Sequence, residues 1–169
     1  RPLLRPDMVI VIDPGHGGRD PGAKSILEER YEKDYTLDWA VRIQRLLLAR
    51  GWTAHLTRTN DMDVSLLERS ALANQWQAGF FLSLHFNSAF PATDPAGVES
   101  YCLTPSGMPS SLTRDFEDDP AAVFPNNAYD ESNLQFAAAL HRVMVSASGT
   151  PDRSVRRART AAGAAPGLM

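Results

Sequence analysis

The chain has 169 residues, of which 43% are hydrophobic and 22% charged, the make-up of an ordinary globular protein long enough for one substantial core but not for two. A net charge of −3 and a lone cysteine, Cys102, exclude a strongly basic nucleic-acid binder and an intramolecular disulfide framework. No apolar run reaches membrane-spanning length, so no transmembrane segment is expected. The chain begins with Arg1, and a signal sequence is expected to be absent from it.

Residues 1–7 read as a lead-in. Met8 to Ile12 form a nearly continuous β-branched run, the pattern of a strand covered on both faces within a parallel sheet. The run stops at Asp13-Pro14-Gly15-His16-Gly17-Gly18, a turn whose proline fixes one backbone angle and whose glycines open others, so that it can hold the His16 imidazole in place. Arg19 to Arg30 is polar and irregular. From Tyr31 to Arg50, apolar residues recur at three- and four-residue steps, predicting a helix with Glu29, Glu32 and Asp34 near its start and Gly51 as its stop.

Trp52 to Thr57 predicts a second strand, and Ser65 with Glu68 predicts a reciprocally capped helix running through Leu72 and Trp76. Phe80 to Leu84 predicts a core strand, with His85-Phe86-Asn87 directly behind it. Residues 88–96 read as a loop and Gly97 to Leu103 as an alternating strand, on which Cys102 is structural rather than nucleophilic. Residues 104–127 carry four prolines and little periodicity, predicting a long surface excursion and a candidate lid or partner-binding segment. A helix opening at Asp130 or Ser132 is expected to close at Gly149. In Val155 to Met169 nothing resembles a closing strand. Arg153, Arg156, Arg157 and Arg159 read as a solvated face, and 160–169 is a low-complexity tail.

Strand–helix alternation brings strand ends to one edge of a sheet, so His16 and His85 can meet there with Glu32. Two imidazoles and a carboxylate leave zinc an open position for water, a site suited to hydrolysing an amide or ester. Spacing alone leaves the plainer alternatives open: histidines serving structure, and a glutamate placed at a helix start for electrostatic reasons.

These residues carry a resemblance. Ile12 to Gly18 followed by Asp20-Pro21-Gly22-Ala23, then Glu32-Lys33-Asp34, Leu56-Thr57-Arg58 with Asp61, Glu68-Arg69, Ser83 to Asn87, Gly97-Val98-Glu99 and Asp152 to Val155 together resemble the zinc-dependent N-acetylmuramoyl-L-alanine amidases of type 3, which hydrolyse peptidoglycan. The likeness spans residues 8–159, with 104–127 as an insertion. It implies an α/β fold, a mostly parallel sheet in a single domain flanked by helices, with zinc at the carboxyl ends of the strands. It also implies His16, Glu32 and His85 as zinc ligands and Asn87 as a substrate-contacting or site-shaping residue.

The family's general base is a glutamate on a strand near the carboxyl terminus, and no residue after Arg159 is acidic. That glutamate is therefore expected beyond Met169, with Glu99 as a weak stand-in. The implied activity is cleavage of the amide joining N-acetylmuramic acid to L-alanine in a bacterial periplasm or cell wall. The implied partners are peptidoglycan and an activator protein engaging 104–127, with the chain itself monomeric. The competing readings are a non-catalytic zinc-containing cell-wall module, and a zinc peptidase or deacetylase acting on another amide.

Overall fold

The computed structural model describes Arg5 and residues 7–87, 96–111 and 118–159. Most of the lead-in, the loop that follows Asn87, the middle of the 104–127 excursion and the 160–169 tail lie outside the described residues. The chain divides into two compact units, with the boundary between Asn87 and Ala96.

The first unit is built on β1 (Val9–Pro14), α1 (Glu32–Leu48), β2 (Thr53–Leu56), α2 (Leu66–Gln75) and β3 (Phe80–Leu84). Its sheet has the order β2-β1-β3 with every pairing parallel. As its unbroken apolar run predicts, β1 takes the covered central place, and Val11 and Ile12 are fully buried. Ile10 and Ile12 pack with Leu56, Leu84 and Ala40 of α1, and Trp39, Val41, Leu47 and Trp52 close around them. Each fully buried isoleucine contributes about 2–3 kcal/mol. α1 starts where the Tyr31 N–H donates to the Asp34 carboxylate at 3.0 Å. α2 carries the predicted capping box, in which the Ser65 N–H donates to Glu68 at 2.7 Å and the Glu68 N–H donates to Ser65 Oγ.

The second unit pairs β4 (Val98–Leu103) with β5 (Asp152–Ala158) in parallel and packs α3 (Asp130–Ser148) against both. α3 follows a short 3-10 helix, Pro125–Tyr129, and ends at Gly149, whose φ of 65° is the left-handed cap that glycine permits. Buried His141 fastens α3 to both strands, reaching Ser100 Oγ at 3.0 Å and Asp152 Oδ1 at 2.9 Å. Cys102 is buried and free, the structural role expected of it.

β5 corrects two expectations. The stretch from Val155 does form a strand, and its arginines are not simply a solvated face: Arg156 and Arg157 are half-buried and Arg159 is buried. The strand was hidden because arginine stems can cover apolar surface in place of aliphatic side chains, and because Ser154, at φ 80°, interrupts the alternation next to a register shift. Arg159 also tethers the excursion that follows β4. Its guanidinium donates to Asp118, to the Met108 carbonyl and, at 3.1 Å, to Ser110 Oγ. Thr104 and Pro105 are buried, so the described ends of that segment are anchored rather than loose.

The α/β class with parallel strands and flanking helices is borne out. Among the described residues no helix is long and apolar enough to cross a membrane.

Candidate metal centre

In the first unit, β1 and β3 run side by side with Pro14 opposite Leu84, and the Gly15 N–H continues the ladder to the Leu84 carbonyl at 3.0 Å. Parallel register therefore delivers His16 and His85 together, just past the carboxyl ends of two neighbouring strands. Glu32, the first residue of α1, completes the group. His16 Nε2 lies 3.0 Å from Glu32 Oε1, His85 Nδ1 lies 3.2 Å from the same oxygen, and the two ring nitrogens are 3.1 Å apart.

Two glycines make this approach possible. A Cβ on Gly15 would stand 2.4 Å from the His85 ring, and one on Gly22 would stand 2.6 Å from the His16 ring and 2.7 Å from Glu32 Cβ. His16 itself sits at φ 62°, a left-handed conformation uncommon for a residue bearing a side chain.

Glu32 is buried, with Oε1 accepting from the Phe86 N–H at 2.6 Å and Oε2 accepting from the Ala23 N–H at 3.0 Å. Burial alone would raise its pKa. The hydrogen bonds from His85, Ala23 and Phe86 outweigh it and hold the carboxyl at about 2. It is thus a fixed anion, while the His85 side chain remains 46% exposed and keeps the cluster open to solvent.

The turn is clamped from beneath by two buried arginines. Arg58 donates to the carbonyls of Pro14 (3.0 Å), Gly15 (2.9 Å) and Lys33 (2.9 Å). Arg69 donates to the carbonyls of Pro14 and His16, both at 2.8 Å, and to Asp13 Oδ1 at 2.6 Å. Asp13 also accepts from Thr57 Oγ1 at 2.5 Å and from Ser83 Oγ at 2.7 Å, tying the ends of three strands together. On the outer side Lys33 donates to the Gly18 carbonyl at 2.9 Å and to Asp61 at 2.7 Å.

The donor set fits a small divalent cation. Three donor atoms converge, and with neutral histidines, His16 carrying its proton on Nδ1, 2.8 Å from the Asp20 carboxylate, at most one hydrogen remains to separate them. A cation satisfies all three. Zinc bonds of about 2.0–2.1 Å place tetrahedral donors about 3.3 Å apart, and the observed spacings approach that edge length. Among the described residues this is the one such group of His, Cys, Asp and Glu.

The three residues expected to meet therefore do meet. Asn87 is exposed two positions beyond His85. Glu99 lies on β4 in the second unit, with its carboxylate 3.1 Å from Arg156 Nε and 2.7 Å from the Tyr101 hydroxyl. Partial burial would raise its pKa, yet these two partners hold it below the usual range. Asp13, Asp20, Arg58 and Arg69 were not expected as supports of the site. Their signal was faint: charged residues within or beside the strand-end motifs.

A family model described as N-acetylmuramoyl-L-alanine amidase matches residues 10–164. The chain is similar to N-acetylmuramoyl-L-alanine amidase CwlM of Bacillus licheniformis, 40% identical over 108 residues that are 63% of this chain and 40% of that protein. It is also similar to the sporulation-specific N-acetylmuramoyl-L-alanine amidase of Bacillus subtilis, 42% identical over 104 residues, 60% of this chain and 38% of that one. The match thus spans about two-fifths of the length of these relatives. Among solved structures, the catalytic domain of CwlV, the amidase from Bacillus (Paenibacillus) polymyxa, superposes with a TM-score of 0.70 at 27% identity, covering 90% of this chain and 71% of that one. AmiC2 of Nostoc punctiforme superposes equally well, at 28% identity over 90% of this chain and 70% of its own. The family match, running from β1 past β5, establishes that the chain belongs to the N-acetylmuramoyl-L-alanine amidases.

Proposed function

We propose that the protein hydrolyses the amide between N-acetylmuramic acid and the L-alanine of the peptidoglycan stem peptide, with zinc held by His16, Glu32 and His85. The observation that carries the reading is the triangle of donor atoms with 3.0–3.2 Å sides at the carboxyl ends of β1 and β3. Two imidazoles and one carboxylate suit zinc, which in such a site lowers the pKa of a bound water and polarises a carbonyl.

The chain's own residues do the holding. Glu32 keeps its negative charge at every working pH because two backbone N–H groups and His85 hold its carboxyl at about 2. Arg58 and Arg69 fix the carbonyls on either side of His16, so the ring does not have to be ordered when substrate arrives. Preorganisation of this kind removes a cost that would otherwise fall on the reaction. Asn87, exposed two positions beyond His85, is the residue we assign to substrate contact or to shaping the site. Peptidoglycan lies outside the cytoplasmic membrane, so we assign the working protein to the periplasm or cell wall, with 104–127 as the segment for an activator.

One observation favours a second reading, a zinc-containing module that binds cell wall without cutting it. Glu99, the one carboxylate weighed as a stand-in for the general base, is engaged by Arg156 and Tyr101 and has a lowered pKa. A positioned proton acceptor is commonly worth about 10²–10⁴ in rate. The experiment is metal analysis of the purified chain, with His16→Ala and His85→Ala alongside, together with release of free L-alanine amino termini from purified peptidoglycan. Zinc with release supports the amidase. Zinc and retention on peptidoglycan without release supports the binding module, and absence of zinc from the folded wild type overturns the site.

A further inference from the structure

The metal reading requires His16 to present Nε2 to the cluster with its lone pair free. A neutral imidazole carries its proton on either nitrogen, so something in the chain has to choose. Gly17 and Asp20 exchange both backbone hydrogen bonds, at 2.9 and 3.2 Å, folding residues 16–20 into a tight loop. That loop brings the Asp20 carboxylate back to the His16 ring, with Oδ2 2.8 Å from Nδ1. The other oxygen, Oδ1, accepts the Gly22 N–H at 3.1 Å, which sets the direction in which Oδ2 points.

An ionised carboxylate only accepts hydrogen bonds, so a contact of 2.8 Å places the proton on Nδ1. Nε2 is then left bare, 3.0 Å from Glu32 Oε1 and 3.1 Å from His85 Nδ1. We propose that Asp20 is a positioning residue of the metal centre: it holds His16 in the Nδ1–H tautomer and fixes the ring plane so that Nε2 faces the other two donors. This inference rests on the zinc reading above.

Asp20 supplies none of the three converging donor atoms, and its side chain is 65% exposed. An exposed pair of this kind adds little to folding stability. Its removal should therefore separate metal affinity from stability, which no residue of the buried clamp would do.

The test uses the full chain, with zinc affinity measured by competition against a chromophoric chelator and long-range proton–nitrogen NMR of the His16 ring in the metal-free protein. Asp20→Ala is expected to weaken zinc by about 10–100-fold, to leave the unfolding midpoint little changed, and to convert a single His16 tautomer into a mixture. Asp20→Asn keeps an oxygen that can accept from Nδ1 and is expected to recover most of the affinity. Asp20→Ser can still cap the Gly22 N–H but is too short to reach the ring, so it is expected to resemble the alanine variant. Should wild type bind zinc and Asp20→Ala or Asp20→Ser bind it equally well, with one tautomer retained, the role assigned to Asp20 is wrong while the zinc site stands. Should wild type bind no zinc, the zinc reading itself fails and the inference falls with it.

Discussion

Asp13→Ala is the perturbation that tests most directly how the turn is held. The wild-type carboxylate receives Thr57, Ser83 and Arg69 at 2.5–2.7 Å, and the Asp13 and Arg69 side chains are 5% and 9% exposed. Arg58 lies close by and donates to carbonyls and a hydroxyl, so among the described residues Asp13 is the one anion hydrogen-bonded to either arginine. Removing one member of a buried pair costs about 3–5 kcal/mol, because the other charge is left in the interior. Arg69 keeps carbonyl acceptors at Val64, Pro14 and His16, which puts the expected loss near the lower end, about 3 kcal/mol. For a chain of this size that loss corresponds to a fall in Tm of about 6–12 °C. The assay is thermal unfolding of the metal-free chain by circular dichroism, with Asp13→Asn as a milder companion because it preserves an acceptor oxygen. A midpoint for Asp13→Ala within about 1 °C of wild type, less than the shift from half a kcal/mol, would show that the carboxylate carries no such weight and would refute the clamp.

Other consequences follow from the same geometry. Gly15→Ala drives a Cβ to within 2.4 Å of the His85 ring; the ring must move, and zinc affinity by chelator competition should drop at least about tenfold, as expected when a ligand's support is lost. Glu32 has a folded pKa of about 2 against an ordinary 4.5 and is 5% exposed. Its stabilisation of the metal-free chain, about 3 kcal/mol, is complete above pH 4.5 and is lost as pH falls through 2. Urea midpoints measured from pH 7 down to pH 3 should therefore decline more steeply for wild type than for Glu32→Gln, and parallel declines would contradict the assignment. Burial pushes the Cys102 thiol up, so a disulfide reagent at neutral pH should label it only as the chain unfolds; fast labelling of the native protein would show that β4 opens.

Much of the candidate site was legible because each of its three residues stands at a boundary that local pattern marks. His16 follows the end of a β-branched run, Glu32 stands at the onset of a helical period, and His85 follows a short apolar strand. Periodicity reports where elements start and stop, and parallel packing then gathers strand ends without needing any further signal. The capping box of α2 was legible for the same reason, since both of its halves lie within four residues.

What stayed hidden depends on partners that are distant in sequence and mostly backbone. Arg58 and Arg69 look from sequence like solvent-facing charges, yet both are buried, and most of their acceptors are carbonyls exposed where the chain leaves β1 and enters a tight turn. A carbonyl carries no residue identity, so nothing in the amino-acid pattern announces it as an acceptor. β5 was missed for a related reason: Arg153, Arg156 and Arg157 are among its partly buried side chains, Arg156 pairs across the sheet with Glu99, and an apolar alternation is not needed where arginine stems cover the surface. The same holds for the site itself. Donor residues can be read from element ends, but the rigidity that makes them a site comes from buried cations closing on backbone oxygens, and that layer exists only once the fold has placed those oxygens.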